Sequence, residues 1–411
     1  MTMSWESISL SDALRPLKSS PFTRDELNYS GGQYQNVHYG DILVRFPSVV
    51  DAEKEGLPYV SDSAEGRCSR CSLLQNGDII IADTAEDEAV GKAIEIQGIT
   101  DQKVVSGLHT MAFRPQEGLF APGFLGYFLN SSVYHNQLLP LMQGIKVLSI
   151  SKTAIGDTAI KYPSYKEQEK IVESLSGVDD MIGALDEAIA KKQQIKEGLM
   201  QQLLTGETRL PGFSGEWKRE PLSKHASVLR GGSPRPIEAY LTNDPDGINW
   251  IKIGDVGIGA KYIVKTEERI IPDGVSHSRA VKAGDFLLSN SMSFGRPYIL
   301  KIDGCIHDGW LVIQEYYDSF DTDYLYYALN APETIEQYKS MAAGSSVLNL
   351  NKDIVKRVML NIPEIDEQRA IASVLSSADN EIVELESKRN KYDLIKQGMM
   401  QDLLTGKTRL I

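Results

Sequence analysis

Two stretches of the chain are nearly the same: residues 196–210 read KEGLMQQLLTGETRL and residues 396–410 read KQGMMQDLLTGKTRL. The offset of 200 residues continues upstream without a gap, through Pro163 and Pro363 and through Lys152 and Lys352, as far as Gly144 and Gly344. One register kept over more than sixty residues is not a chance match, and self-similarity at a fixed period is the mark of a repeat architecture. The sequence therefore indicates a tandem duplication.

Each copy carries apolar residues at the alternating spacings of three and four that form the seam of a coiled coil. The seam residues are Ile171, Leu175, Val178, Ile182 and Leu185 in the first copy, and Ile371, Leu375, Ile382 and Leu385 in the second. A capping box from Ser164 to Glu167 predicts where the first helix starts, and Gly206 and Gly406 predict where both end. Two copies in one chain favour antiparallel pairing with pseudo-twofold symmetry, and an independent oligomerisation coiled coil is the alternative.

The blocks that alternate with these helices are similar in length but share far less sequence. The runs NGDIIIAD (76–83), AGDFLLSN (283–290), INWIKIGDV (248–256) and YGDILVRFP (39–47) are predicted strands, and GYFLNSS (126–132) and YLYYALN (324–330) are predicted short helices. The expected fold class is α+β, with two mixed α/β domains joined by two long antiparallel coiled-coil helices. The predicted division is 1–160 and 211–360 for the two domains, and 161–210 and 361–411 for the two helices.

The composition is that of an ordinary globular protein, with 42% hydrophobic and 24% charged residues. No apolar run reaches the roughly 20 residues that cross a bilayer, and the N-terminus lacks the pattern of a secretory signal. Three cysteines do not make a disulfide framework, so we expect a cytoplasmic protein. The net charge of −13 means that any nucleic-acid role must rest on local patches or on a partner's charge.

Motifs for catalysis are weak throughout the chain. TGKT (405–408) has Gln401 where a phosphate loop needs glycine, and its twin is TGET, so a helix C-terminus is the better interpretation. GDVGIGA (254–260) lacks the full dinucleotide fingerprint and is a predicted turn. Cys68 and Cys71 have no second pair to complete a zinc site. We therefore expect neither a catalytic nor a metal site, and a nucleotide-dependent enzyme is the least supported hypothesis.

Two loops of the second block carry side chains that pair with base edges, because arginine bonds guanine and asparagine bonds adenine. These loops are RGGSPRP (230–236) and SNSMSFGR (289–296). The residues predicted to contact DNA are Arg230, Ser233, Arg235, Asn290, Ser291, Ser293 and Arg296 in the second block, and Arg45, Arg67, Arg70 and Lys92 in the first, with Arg114 as a further comparable residue. Ordinary surface loops are the alternative for each of them.

The repeated helices, each preceded by Pro-x-x-x-Glu-Gln-x-x-Ile and ending in Leu-Leu-Thr-Gly, alternate with two variable blocks. In this respect the chain resembles, over essentially its whole length, the specificity subunit of a type I restriction–modification system. The resemblance implies that each block is a target recognition domain that reads one half of a bipartite DNA sequence. It also implies that the paired helices set the length of the unread spacer and dock two modification subunits.

The partners that the resemblance implies are double-stranded DNA, two modification subunits that methylate adenine, and restriction subunits that translocate and cleave DNA, with no membrane. This chain would bind no cofactor, because S-adenosylmethionine, ATP and Mg²⁺ would be held by the partner subunits. It would be a non-catalytic recognition subunit in host defence. The first block shows no counterpart of RGGSPRP, so its reading loops stay open. A duplicated coiled-coil adaptor that binds only proteins is the alternative from another class.

Overall fold

The computed structural model describes residues 5–257, 259–290, 295–342 and 350–410. The chain forms two compact units: the N-terminal unit from Met1–Asp186 and Ser387–Ile411, and the C-terminal unit from Glu187–Glu386. Each unit therefore combines one variable block with one part of each long helix. Within the described ranges, no helix is both long enough and apolar enough to cross a membrane.

The N-terminal unit is built on two sheets of its variable block. Its strands are β1 (Glu6–Ser9), β2 (Leu14–Pro16), β3 (Leu27–Asn28), β4 (Tyr34–Val37), β5 (Val49–Asp51), β6 (Tyr59–Val60), β7 (Ile79–Ala82), β8 (Thr84–Ala85), β9 (Ala93–Gln97), β10 (Lys103–Ser106), β11 (Thr110–Pro115), β12 (Leu148–Ser149) and β13 (Ala159–Tyr162). Its helices are α1 (Leu10–Ala13), α2 (Tyr39–Val44), α3 (Asp62–Glu65), α4 (Phe124–Leu129), α5 (Ser132–Leu138), α6 (Lys152–Gly156) and the first part of α7 (Tyr165–Thr205). The larger sheet has the strand order β2-β11-β7-β9-β5, and the smaller has β10-β4-β6-β3.

The C-terminal unit is built in the same way. Its strands are β14 (Lys218–Pro221), β15 (Ser227–Arg230), β16 (Leu241–Thr242), β17 (Ile248–Ile251), β18 (Tyr262–Ile263), β19 (Glu268–Ile270), β20 (Arg279–Val281), β21 (Phe286–Ser289), β22 (Pro297–Leu300), β23 (Gly304–Ile306), β24 (Trp310–Gln314) and β25 (Met359–Ile362). Its helices are α8 (Thr322–Asn330), α9 (Pro332–Ala342), α10 (Lys352–Arg357) and the first part of α11 (Ile365–Leu403). The sheets have the orders β15-β24-β21-β22-β18 and β16-β19-β17-β23-β20.

The two units share one strand topology although their blocks share little sequence. In the sheets β2-β11-β7-β9-β5 and β15-β24-β21-β22-β18 the first four strands pair antiparallel and the fifth, β5 or β18, joins parallel to its neighbour. The second sheets correspond as well, since β4 pairs parallel with β10 and β17 pairs parallel with β23, but the C-terminal one carries an additional strand, β20, beside β23. The duplication predicted from the helices therefore extends through both variable blocks.

The long helices confirm the predicted seam and its antiparallel direction. Of the seam residues, Ile171, Leu175, Ile182, Leu185, Ile371, Leu375 and Ile382 are buried, whereas Val178 and Leu385 are partly exposed. Asp179 lies 2.5 Å from Lys396 in the N-terminal unit. In the C-terminal unit Asp379 lies 2.5 Å from Lys196. Residue numbers that rise along one helix meet numbers that fall along the other, so the two helices run in opposite directions.

Each unit holds the end of the helix that arrives from the other block. The Arg409 guanidinium donates to both carboxylate oxygens of the buried Glu167 at 2.6 and 2.7 Å, and Arg209 donates to Glu367 at the same two distances. The sequence assigned Glu167 to a capping box, but this carboxylate instead accepts the two bonds from a residue 242 positions away. A buried carboxylate is best satisfied by the planar fork of an arginine, which explains the difference.

Two predicted strands need correction, and so does the short helix predicted over 126–132, because α4 ends at Leu129 and α5 begins at Ser132. YGDILVRFP (39–47) is not a strand: Tyr39–Val44 forms α2, whose start is capped by the Nδ1 atom of His38, and Ile42 and Phe46 are buried four residues apart. Periodicity alone does not separate a short buried strand from a short helix. INWIKIGDV gives a strand only over Ile248–Ile251. TGKT follows the end of α11, with Gly406 at a φ of +71°, as a helix C-terminus requires.

Candidate nucleic-acid interface

The antiparallel strands of the C-terminal sheet β15-β24-β21-β22-β18 bring several predicted DNA-contacting residues to one edge. β15 and β21 end at this edge, and β22 and β24 begin there, because Arg230 opposes Leu311 and Ser289 opposes Trp310. We call it the C-terminal loop edge; its residues are Arg230–Arg235, Asn290, Arg296 and 307–309. Loops that are distant in the sequence therefore form one surface.

Asp308 organises the RGGSPRP loop at this edge. Its carboxylate accepts hydrogen bonds from Ser233 at 3.1 Å and from Arg235 at 3.2 Å, and its backbone carbonyl accepts one from Arg230 at 3.2 Å. Although partial burial opposes the effect, the neighbouring His307, Ser233 and Arg235 lower the pKa of Asp308. The Arg235 side chain is still 78% exposed, so the loop is fixed while its guanidinium faces solvent.

A cleft beside this loop offers both donors and acceptors. Trp250, which is 1% exposed, lies at its base with His307 edge-on to the indole at 6.2 Å. Lys252 and Glu268 line it as an ion pair at 2.6 Å. Base edges are read by such mixed sets of donors and acceptors.

The sequence missed Asp308 and Arg279 as parts of this surface. The Nε atom of Arg279 donates to the Arg230 carbonyl at 3.4 Å, although the two residues are 49 positions apart. Because β20 and β15 belong to different sheets of the unit, only the tertiary fold brings them together. No local signal in the sequence marks either residue.

The predicted residues of the second loop are placed only in part. The backbone N–H of Asn290 donates to the Gly309 carbonyl at 3.2 Å, and the backbone carbonyl of Asn290 accepts from the Leu350 N–H at 2.9 Å. Arg296 lies over the ring of Tyr298 at 5.8 Å. The predicted contacts Ser291 and Ser293 lie outside the described residues.

The N-terminal unit presents the same edge with different side chains. Pro16 pairs with Phe113 on β11, and Val228 pairs with Ile313 at the equivalent position of β24. Lys18, two residues after Pro16, therefore occupies the position that Arg230 occupies two residues after Val228. The segment that corresponds to the RGGSPRP loop therefore begins at Lys18, which sequence comparison alone could not reveal. We call this surface the N-terminal loop edge; it contains residues 18–20, 83–84, 92 and 107–109.

The candidates of the first block are spread over the N-terminal unit. Lys92 lies at the N-terminal loop edge, but its ammonium donates to the Leu43 carbonyl at 3.0 Å and burial lowers its pKa. Arg67 lies over the ring of Phe22 and pairs with Glu26 at 2.5 Å.

The other candidates occupy other surfaces. Arg45 donates to the Tyr29 hydroxyl at 3.4 Å, and Arg70 is exposed on a short turn. Arg114 lies at the opposite edge of the sheet, where both oxygens of the buried Asp78 accept its hydrogen bonds at 2.7 Å.

The cysteine pair shows no metal-ligand geometry. Cys68 is buried, Cys71 is partly buried, and both are free thiols. Burial raises the pKa of the Cys68 thiol to about 11. Within the part of the chain that the structure describes, no group of three or more histidine, cysteine or acidic residues could hold a metal ion.

Comparison with known proteins agrees with this architecture. The family profile described as "Type I restriction modification DNA specificity domain" matches residues 232–392. A curated protein of Methanocaldococcus jannaschii, provisionally named the type I restriction enzyme MjaX specificity subunit, is 22% identical, with 99% of this chain and 94% of that protein aligned.

Two solved structures share the fold. One, described as "Structural basis underlying complex assembly and conformational transition of the type I R-M system", has a TM-score of 0.62 at 17% identity and covers 98% of this chain and 97% of its own. The other, the type I restriction–modification S subunit from M. genitalium, has a TM-score of 0.55 at 11% identity and covers 98% and 96%. The matching profile, the relative aligned over nearly its whole length and the shared fold make this chain similar to type I restriction–modification specificity subunits.

Proposed function

We propose that this chain reads a bipartite double-stranded DNA target, one half at each loop edge. The observation that carries the proposal is the shared strand topology of the two units, which presents different side chains at equivalent positions. A common frame with Arg230 at one edge and Lys18 at the other holds two different sets of groups in the same geometry. Contacts to base edges specify sequence, whereas contacts to phosphates fix the position on the duplex.

The helix pair sets the spacing between the two half-sites in this proposal. α7 has 41 residues and α11 has 39, and each helix runs without interruption from one compact unit into the other. At about 1.5 Å per residue, helices of this length extend for roughly 60 Å. A rod whose length is fixed by backbone hydrogen bonds is a suitable spacer, because changing its length requires adding or removing residues.

The partners proposed for this chain supply what it lacks. The net charge of −13 opposes binding to phosphates, so modification subunits are proposed to share the phosphate contacts. Several apolar side chains on the long helices are exposed, including Met181 at 41%, Val383 at 61% and Leu394 at 68%, which supports a protein partner on the helix pair. The chain itself is proposed to be non-catalytic, with S-adenosylmethionine, ATP and Mg²⁺ bound by modification and restriction subunits.

The proposal is tested by mapping methylated adenines in a host that expresses this chain with the methyltransferase subunit of its own restriction–modification system. We expect one bipartite motif, and exchange of residues 1–160 for the block of a related protein should change only one half of it. A change in both halves, or no motif at all, would contradict the proposal. An adaptor that binds only proteins predicts that the complex of this chain and its partner retains no DNA sequence selectively.

A further inference from the structure

A narrow loop of the N-terminal unit, Gln143–Ser149, has a preformed tip. The Gln143 amide donates to the Ser149 carbonyl at 2.9 Å, and the Ser149 amide donates back at 2.8 Å. At the tip Gly144 has a φ of +124°, and a Cβ atom there would lie 1.9 Å from the Val147 carbonyl oxygen. The turn therefore requires glycine, and its conformation is fixed by backbone contacts.

The tip of the Gln143–Ser149 loop presents apolar side chains to solvent. Ile145 is 99% exposed and Val147 is 51% exposed, with the exposed Lys146 between them. Neither apolar side chain contributes substantially to the core of the unit, so folding does not account for their chemistry. An aliphatic side chain can contact the methyl group of thymine in the major groove, and an ammonium beside it can bind a backbone phosphate.

This tip lies at the N-terminal loop edge. β12 pairs with β8 through Leu148 and Ala85, and β8 directly follows the end of β7 at that edge. The Ile150 amide donates to the Asp83 carbonyl at 2.9 Å, and the Thr84 hydroxyl lies 3.3 Å from Nδ1 of His109. The loop is thus continuous with the surface that carries Lys18.

We propose that the Gln143–Ser149 loop is a DNA-contacting element, in which Ile145 enters a groove against base edges and Lys146 binds a phosphate. This inference rests on the proposed function and adds a contact that is absent from the predicted DNA-binding residues. The exposed acidic run 86–88, which follows β8, repels phosphates at the base of the loop. We therefore expect the close contact with the bases to be made by the uncharged side chain of Ile145 at the tip. Sequence selectivity would come from the fit of this side chain to the bases.

The test uses the chain copurified with its methyltransferase subunit and three variants: Ile145→Ser, Lys146→Ala and the control Leu73→Ser. Leu73 is also an exposed apolar residue, at 46%, but it lies at the opposite edge of the sheet, where its carbonyl accepts from Arg114. Dissociation constants are measured at fixed salt for the mapped target and for a duplex with the N-terminal half-site scrambled. Melting temperatures confirm that each variant is folded.

We expect Ile145→Ser to weaken binding to the mapped target at least about tenfold, with little change on the scrambled duplex, while Leu73→Ser stays within about twofold of wild type. Lys146→Ala should weaken binding to both duplexes similarly and reduce the salt slope by about one. If the wild type discriminates the half-site and Ile145→Ser does so equally well, the inference is wrong. Loss of the methyltransferase subunit from the Ile145→Ser preparation would assign the tip to a protein partner and overturn it. A wild type that does not discriminate either half-site would overturn the proposed function and this inference with it.

Discussion

Replacing Leu404 by alanine should destabilise the N-terminal unit, although most residues of that unit lie more than two hundred positions earlier in the sequence. Leu404 is 1% exposed and belongs to the core cluster that contains Leu10, Phe124 and Leu175. Its counterpart Leu204 is 5% exposed and belongs to the core of the C-terminal unit. The two leucines are therefore a matched pair, one from each copy of the repeat.

The expected loss follows from the burial of the side chain. Truncating a fully buried leucine to alanine costs about 2–5 kcal/mol, because the transfer free energy of the lost methyl groups adds to that of the cavity they leave. A value of about 3 kcal/mol corresponds to a factor of roughly 150 in the unfolding equilibrium of the unit. Amide protons that exchange only through unfolding of that unit should therefore exchange faster by a similar factor.

Native-state hydrogen exchange followed by mass spectrometry measures this effect separately in each unit. Leu404→Ala should accelerate exchange in the strands β7 and β11 and leave β21 and β24 near the wild-type rate. Leu204→Ala should do the reverse. If Leu404→Ala instead accelerates exchange in β21 and β24, the assignment of the helix end to the N-terminal core is wrong.

Three further predictions concern single residues. Asp308→Ala should release the RGGSPRP loop and lower selectivity for the C-terminal half-site by about tenfold, with the other half-site unchanged; equal selectivity in a binding assay would contradict this. Burial lowers the pKa of His38 below its ordinary 6.5, so the unfolded chain binds the proton more readily. The N-terminal unit should therefore lose stability as the pH falls from about 7 towards 5, and thermal melts of His38→Gln should show a smaller loss. Gly406→Ala should lower the melting temperature, because φ is +71° and the new Cβ would lie 3.2 Å from the Trp5 ring. Gly398→Ala should raise it by improving helix propensity, because Gly398 lies in the last two turns of α11 with no atom within 4 Å of the new Cβ.

The long helices could be predicted from the sequence because their signals are local. The spacing of apolar residues predicted the seam of the helices, and the glycines predicted where the helices end. The duplication indicated that the two copies pair with each other. The ion pair between Glu167 and Arg409 could not be predicted, since its partners are 242 positions apart and the same glutamate also fits a capping box. The prediction assigned Glu167 to a local capping box, whereas the distant Arg409 supplies its hydrogen bonds in the structure.

The variable blocks were predicted less completely for a related reason. The two blocks share the pairing of their strands, which is visible in the backbone hydrogen bonds and not in the sequence. Residues at equivalent positions, such as Lys18 and Arg230, therefore differ in type. Arg230, Ser233 and Arg235 were predicted as DNA contacts because glycine and proline mark their loop. Asp308, which holds that loop, carries no such mark. Contact of these residues with DNA stays a prediction.

The spacing of the two half-sites tests the proposed role of the helix pair more directly than any other quantity. Deleting residues 183–189 and 383–389 together removes seven residues from each helix, which keeps the seam in register and shortens each helix by about 10 Å. At about 3.4 Å per base pair, the unread spacer of the methylated motif should shrink by roughly three base pairs while both half-sites are kept. A folded variant that methylates both half-sites at the original spacing would contradict this role.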